Sequence, residues 1–453
     1  VRRPKDPPPL SRVWERLDPN LFGRSIDPVV REAVDRANDL GWNYEQCGYR
    51  KPLDLSRDDF WALVKLSRMT NRKTVPLVDA IGRAFTYRLP AAADRILHLA
   101  DKEMAGTIVS PTTEFDSNES RARYLVRSLT EEAIASSQIE GAAVTREDAK
   151  RMLREKRPPR TEGERMVLNN YATIRMLNDR RAEPMTPELL CEIQHSLTDG
   201  TLKKPDQAGR FRRPDEKIRI WDDQDNEVVY VPPPAAELPT RVAALCEFAN
   251  GRDDPAKPGL FIHPVVRAVV CHFWLGFDHP FADGNGRTAR ALFYWHMLRN
   301  GYWLAEYLTI SEIIRHAPVQ YARAYLNTEG DDNDLTYFIL YHLTVLERSL
   351  REFHGYLARK AAERANITNA VSLARFTPRQ REVLMRALRD PAALSTYESH
   401  AETFRVTVPT ARADLLDLTE LGLLRQNKSG RRFEFTPVPD LARRLREMAA
   451  RPD

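Results

Sequence analysis

The sequence predicts a mainly α protein in three parts: an N-terminal helical region (1–118), a helical core carrying a β-hairpin (119–350), and a winged helix-turn-helix (375–440). Three observations carry this. Apolar residues recur at helical spacing through most of the chain, strand-like alternation is confined to two short hairpins, and the polar stretch "HPFADGNGRTAR" (279–290) separates two strongly apolar helical segments. At 453 residues the chain has room for roughly three cores. Its 69 Lys and Arg are interspersed with 64 Asp and Glu, for a net charge of +5, too balanced to mark a nucleic-acid binder. The four cysteines, Cys47, Cys191, Cys246 and Cys271, form no CxxC, so neither a disulfide framework nor a zinc site is indicated. No apolar run approaches the ~18 residues of a membrane span, and "VRRPKDPPPL" lacks the apolar stretch of a signal peptide. A cytoplasmic protein with no membrane partner is expected.

In chain order, "RDDFWALVKLSRM" is a helical patch in a first region with no nameable chemistry. "ESRARYLVRSLTEEAIASSQIEG" reads as a helix (about 119–141) closed by Gly141, and "TPELLCEIQHSLTDG" as a helix opened by Thr186 with Pro187 in its first turn. In "KIRIWDDQDNEVVYVPPP", Ile218 and Ile220 alternate before a polar turn and Val229 and Val231 after it, which makes 217–231 a hairpin. Val265, Val266, Val269, Val270, Phe273, Trp274 and Phe277 form the stripe of a buried helix with Pro264 at its start. Ala289, Leu292, Phe293, His296 and Met297 repeat the pattern beyond Gly286. From Phe376 onward, three short helical stretches precede two strand-like runs around Lys428 to Gly430, the element order of a winged helix.

The dodecapeptide is therefore a helix–loop–helix junction, and its composition suits an anion. Backbone N–H groups of Gly284, Asn285 and Gly286 can converge on one point at a helix start, where the dipole adds to the field. Arg287 and Arg290 share a face of the first turn and supply two donor forks, which together implies a polyphosphate. Asp283 would repel bare phosphate but suits a divalent cation, Mg²⁺ above all, bridging carboxylate and phosphate. His279, four residues earlier, can act as general base for a hydroxyl nucleophile. "GNGRTA" also fits a dinucleotide fingerprint with Glu306 as ribose ligand. That motif needs a preceding strand, and a helix stands there instead.

Taken whole, "HPFADGNGRTAR" resembles the signature of the Fic family, HPFx[D/E]GNGRxxR, at every motif position, and the similarity runs from about Glu119 to Leu346. The resemblance implies transfer of AMP from ATP to a Ser, Thr or Tyr hydroxyl of a protein, with release of pyrophosphate. By position it makes His279 the base and Asp283 the Mg²⁺ ligand. Gly284, Asn285, Gly286 and Arg287 become the holders of the phosphates, and Arg290 the γ-phosphate ligand. Ser136 to Gly141, "SSQIEG", is similar to the family's inhibitory motif, which implies that Ser136 and Glu140 belong to an inhibitory helix and that Glu140 pairs with Arg290. The hairpin stands in the place of the family's flap, where Val228, Val229 and Tyr230 would pair with an extended target segment, and Tyr321 is expected near the adenine.

The expected partner is a protein with a hydroxyl side chain, the chain itself included. The winged helix offers Thr407, Thr410 and Arg412 near a recognition-helix start and Lys428, Arg431 and Arg432 on the wing, for contact with DNA or protein. Two alternatives stay open at this point, a DNA-binding regulator with a vestigial core and a hydrolase that removes AMP.

Overall fold

The structure, a computed structural model, describes residues 4–70, 72–106, 118–222, 227–251, 261–373, 376–390, 393–429 and 432–449. It divides into two compact units, the first reaching Phe353 and the second beginning at His354. Among the described residues helices dominate, and the strands form three antiparallel hairpins, with isolated bridges from Thr86 to Asp334 and from Ser395 to Phe435.

The first unit opens with helices α1 (Leu10–Arg16), α2 (Pro19–Arg24), α3 (Pro28–Asp39), α4 (Tyr44–Arg50) and α5 (Arg57–Met69). Their starts are set locally: Asp18, Asp27, Asn43 and Ser56 each accept a backbone N–H as N-cap. Their apolar faces enclose Val13, Val30, Trp42, Phe60 and Trp61. A hairpin that the sequence reading missed follows, β1 (Lys73–Val78) paired with β2 (Ala84–Tyr87), and then α6 (Ala91–Ala100). Pro76 disguises β1, because proline cannot donate to a ladder; the register shifts between Val75 and Val78 to accommodate it.

The central helices are α7 (Asn118–Ile139), α8 (Arg146–Glu155), α9 (Glu162–Asp179) and α10 (Pro187–Thr198). The hairpin β3 (Ile220–Asp222) and β4 (Glu227–Tyr230) is shorter than expected, with Ile218 and Val231 outside the ladder and a register shift after Ile220. Its turn, 223–226, lies outside the described residues, as does the side chain of Val229. Beyond it come α11 (Leu238–Asn250), α12 (Pro264–Asp278), α13 (Asn285–Arg299), α14 (Ile310–His316), α15 (Pro318–Gly330) and the long α16 (Thr336–Leu373). The expected α12 stripe is buried in full, and its Phe273 and Phe277 join Tyr325 and Phe338 in an aromatic cluster.

A buried charge network joins the N-terminal helices to the turn between α15 and α16. The Lys65 ammonium lies 2.6 Å from Asp331 and 3.1 Å from Asp332, and Arg68 bonds the Asp331 carboxylate, Tyr337 and the Trp42 carbonyl. Every charge there has a partner, as burial requires.

In the second unit α17 (Pro378–Arg389), α18 (Tyr397–Phe404) and α19 (Val408–Glu420) precede the hairpin of β5 (Leu424–Ser429) and β6 (Arg432–Pro437), then α20 (Leu441–Ala449). Leu384, Leu415, Leu418, Leu423 and Phe435 form its core. Asp414 links its helices by accepting from Arg379 at 2.6 Å and lying 3.1 Å from the His400 ring. Gly430 and Arg431 of the expected wing, and the boundary at Ala374, lie outside the described residues. Thr407 caps α19, its hydroxyl engaged with the amide and hydroxyl of Thr410.

Candidate active site

Two helix ends form the site. α12 stops at Asp278 because His279 takes the left-handed conformation (φ 48°, ψ 56°), its amide still donating to the Leu275 carbonyl at 3.0 Å. A non-glycine residue adopts this region at a cost, so the loop needs external holders. Arg212, in the "GRFRR" segment, provides several: its Nε donates to the His279 carbonyl at 2.8 Å, its amide to the Pro280 carbonyl at 2.8 Å, and Nη2 to the carbonyls of Pro233 and Asp278. The Asn285 side chain spans the loop from within, accepting from the Phe281 amide (3.0 Å) and donating to the Phe281 carbonyl (2.9 Å). Gln194 of α10 holds the outer edge, donating to the Asp283 carbonyl at 3.1 Å and accepting from the Gly209 amide at 2.6 Å. Gly284 is obligatory here: φ is +81°, and a Cβ would lie 2.7 Å from the Thr198 methyl.

This scaffold fixes the imidazole. His279 Nδ1 lies 3.3 Å from the Gly276 carbonyl oxygen, so the tautomer satisfying that acceptor carries hydrogen on Nδ1 and leaves Nε2 a free base. Burial lowers the His279 pKa below the ordinary imidazole value, more than the Gly276 carbonyl and the carboxylates of Glu140 and Asp283 restore it.

α13 begins at Asn285, directing its first amides into the same space. Arg287 is buried, one Nη donating to the Leu197 carbonyl at 2.8 Å at the end of α10, while its Nε has no partner. Arg290 is buried too: Nε donates to Ser136 Oγ at 2.8 Å, Nη2 to the Ser136 carbonyl at 2.9 Å and to Glu140 Oε1 at 3.0 Å, and Nη1 has no partner. Two buried, unpaired guanidinium N–H groups at a helix start are donors suited to an anionic ligand. Burial opposes the charge on Arg290, but the Glu140 carboxylate, with Tyr321 and Glu132 adding to it, outweighs burial and holds the pKa above the usual guanidinium value.

Glu140 sits directly over this anion cradle. α7 ends at Ile139, one residue earlier than expected, and Glu140 lies in the turn that Gly141 closes at φ +86°. A Cβ on Gly286 would meet Glu140 Oε1 at 2.2 Å, so the absence of a side chain at Gly286 is what admits the carboxylate. The side chain is 25% exposed, the cradle's open side. Asp283 is 59% exposed, with Oδ1 accepting from the Gly284 amide and lying 3.8 Å from Arg287. Its other oxygen is available to a cation that brings further ligands with it. Among the described residues no cluster of three His, Cys, Asp or Glu forms a metal site.

The remaining expected residues fall at the periphery. The Tyr321 hydroxyl lies 2.8 Å from His272 Nε2 and acts on the Arg290 charge. Val228 is exposed on β4, and the Tyr230 hydroxyl donates to the Phe277 carbonyl at 2.9 Å, tying the hairpin to the end of α12. Sequence reasoning passed over Gln194, whose mid-helix position gives no signal, and took Arg212 only as part of the GRFRR stretch (Gly209 to Arg213) that resembles the family, with no role of its own.

Residues 184–297 match the family model described as "Fic/DOC family". A protein named "Protein adenylyltransferase Fic" from Nematostella vectensis is 27% identical over 179 residues, 40% of this chain and 36% of that protein. One of the same name from Aedes aegypti is 27% identical over 146 residues, 32% of this chain and 25% of that protein. The chain thus spans well under two thirds of the length of these relatives. A solved Fic family protein from Desulfovibrio desulfuricans G20 is 21% identical with a TM-score of 0.49, covering 76% of this chain and 95% of that one. No helix among the described residues is long and apolar enough to cross a membrane.

Proposed function

On the premise that residues 184–297, which match the Fic/DOC family model, form a Fic domain, we propose that the chain is a self-inhibited protein adenylyltransferase, moving AMP from ATP to a Ser, Thr or Tyr hydroxyl. In this reading the triphosphate lies over the start of α13, on the amides of Gly284, Asn285 and Gly286, with Arg287 and Arg290 completing the cradle. The target hydroxyl oxygen attacks the α-phosphorus, His279 Nε2 takes its proton, the α–β phosphoanhydride bond breaks, and pyrophosphate leaves. Asp283 would hold Mg²⁺, which neutralises phosphate charge and orients the leaving group. The exposed edge of β4 aligns the target by strand addition.

The observation that carries this reading is the Glu140 carboxylate on Arg290 and against Gly286. It occupies the place of a terminal phosphate on Arg290, a guanidinium that keeps a spare buried donor at Nη1. While it stays, ATP cannot seat its γ-phosphate, and the α-phosphorus is not presented in line to the hydroxyl. Incubation of purified wild-type and Glu140→Gly proteins with labelled ATP and Mg²⁺ tests this, with label expected in protein chiefly for the variant. Equal labelling of both would remove the self-inhibition.

The second unit supports a winged-helix reading through its element order and the exposed cations Arg412, Lys428 and Arg432. We assign it partner selection. Ending the chain at Leu373 should then leave self-modification intact and depress modification of other proteins.

A further inference from the structure

The buried face of α7, and the turn that follows it, carry a polar residue at every fourth position from Ser128 to Glu140, and each is matched. The Ser128 hydroxyl donates to the Tyr307 carbonyl at 3.0 Å; Glu132 accepts from the Ser311 amide at 2.9 Å and from the Ser311 hydroxyl; Ser136 and Glu140 take the Arg290 guanidinium. Residues four apart lie one above another on a helix, so Ser128, Glu132 and Ser136 form one spine, almost wholly buried, that Glu140 extends from the turn after the helix. Ordinary helix packing would place apolar side chains there.

Glu132 is the costliest member. It is 2% exposed, and the groups it bonds, Ser311 and Tyr294, are uncharged. A carboxyl group so placed is strongly destabilising unless its hydrogen bonds are made, and they can be made only when α7 stands in one register against Ser311. A slip of α7 by one turn would put Ser128 or Ser136 opposite Ser311, with Glu132 unmatched.

We propose that Glu132 is a positioning residue for inhibition: its bonds to Ser311 set the register of α7, so that Ser136 and Glu140, one and two turns further on, arrive at Arg290. Buried polar groups are best attested as devices of register of this kind. Neighbouring Glu131 acts differently. It faces α8, where Arg146 lies at 2.7 Å and Lys150 at 2.5 Å, and so fixes the two helices to each other. The proposal rests on the self-inhibition reading and names a determinant of it that makes no hydrogen bond to Arg290, lies two helical turns from Glu140, and feels the Arg290 charge only through space.

The experiment measures labelling from ATP for Glu132→Ala and Glu132→Gln, each alone and combined with Glu140→Gly, with thermal unfolding recorded for all. Register loss predicts that Glu132→Ala raises labelling about tenfold when Glu140 is present and gives no rise when Glu140 is already glycine. Glu132→Gln, which can still accept from the Ser311 amide, keeps most of the inhibition. If Glu132→Ala does not fold, Ser311→Ala, which removes one bond only, should show the same pattern with a smaller rise. No rise in a folded Glu132→Ala or Ser311→Ala protein, while Glu140→Gly is activated, overturns the proposal and leaves self-inhibition standing. An equal rise in both backgrounds overturns it as well. Failure of Glu140→Gly itself to activate removes the underlying reading instead.

Discussion

Replacing Glu140 with glycine removes one carboxylate and little else. Arg290 keeps its bonds from Nε and Nη2 to Ser136, so the guanidinium stays in place while gaining a second open donor site beside Nη1. Gly286, against which the carboxylate packed, becomes open to a phosphate oxygen. A charge-assisted hydrogen bond is worth roughly 1.5–3 kcal/mol. At 1.36 kcal/mol per decade, AMP transfer should rise about tenfold to a hundredfold or somewhat more. The assay is the initial rate of label incorporation at matched ATP and Mg²⁺, with both proteins shown to be folded. Adding Arg290→Ala should cancel most of the gain, since the freed space then lacks its cation. A gain that survives Arg290→Ala would refute the pairing as the cause.

Three other outcomes follow from the same geometry, each read in the Glu140→Gly background. His279→Ala should abolish transfer while calorimetric Mg·ATP binding stays close to the parent's, because other groups hold the phosphates. The pH–rate profile should keep its activity below the ordinary imidazole pKa of 6.5: burial depresses the His279 pKa, so the neutral base persists to lower pH and is lost only as pH falls through that depressed value. An acid limb above 6.5 would contradict this. Arg212→Ala should free the carbonyls that hold His279 in its left-handed conformation and slow turnover by about a hundredfold, with a smaller effect on nucleotide binding.

The dodecapeptide and the α12 stripe were legible because their signals are local. Glycines around an asparagine, paired arginines and a regular apolar period are properties of neighbouring residues, and they needed no knowledge of the rest of the chain. Glu140 was legible for a similar reason, since Gly141 marks the helix end. Its meeting with Arg290, 150 positions away in sequence, came only from the family resemblance. The hairpin of β1 and β2 was hidden by Pro76, which a bulge accommodates. Lys65 looked like any helical surface cation, and only the fold brings Asp331 to it across 266 positions. The carbonyl-binding role of Arg212 has no sequence signal at all, because the chain turns that it holds are made by other residues.

The central claim, transfer of a nucleotide in preference to a phosphoryl group, is tested most directly by labelling the Glu140→Gly protein in parallel with ATP carrying its label on the α-phosphorus and ATP carrying it on the γ-phosphorus. The account predicts incorporation from the α-labelled nucleotide alone, abolished by His279→Ala and accompanied by release of pyrophosphate. Incorporation from the γ-labelled nucleotide, or from neither in a folded protein with Mg²⁺ present, would contradict it.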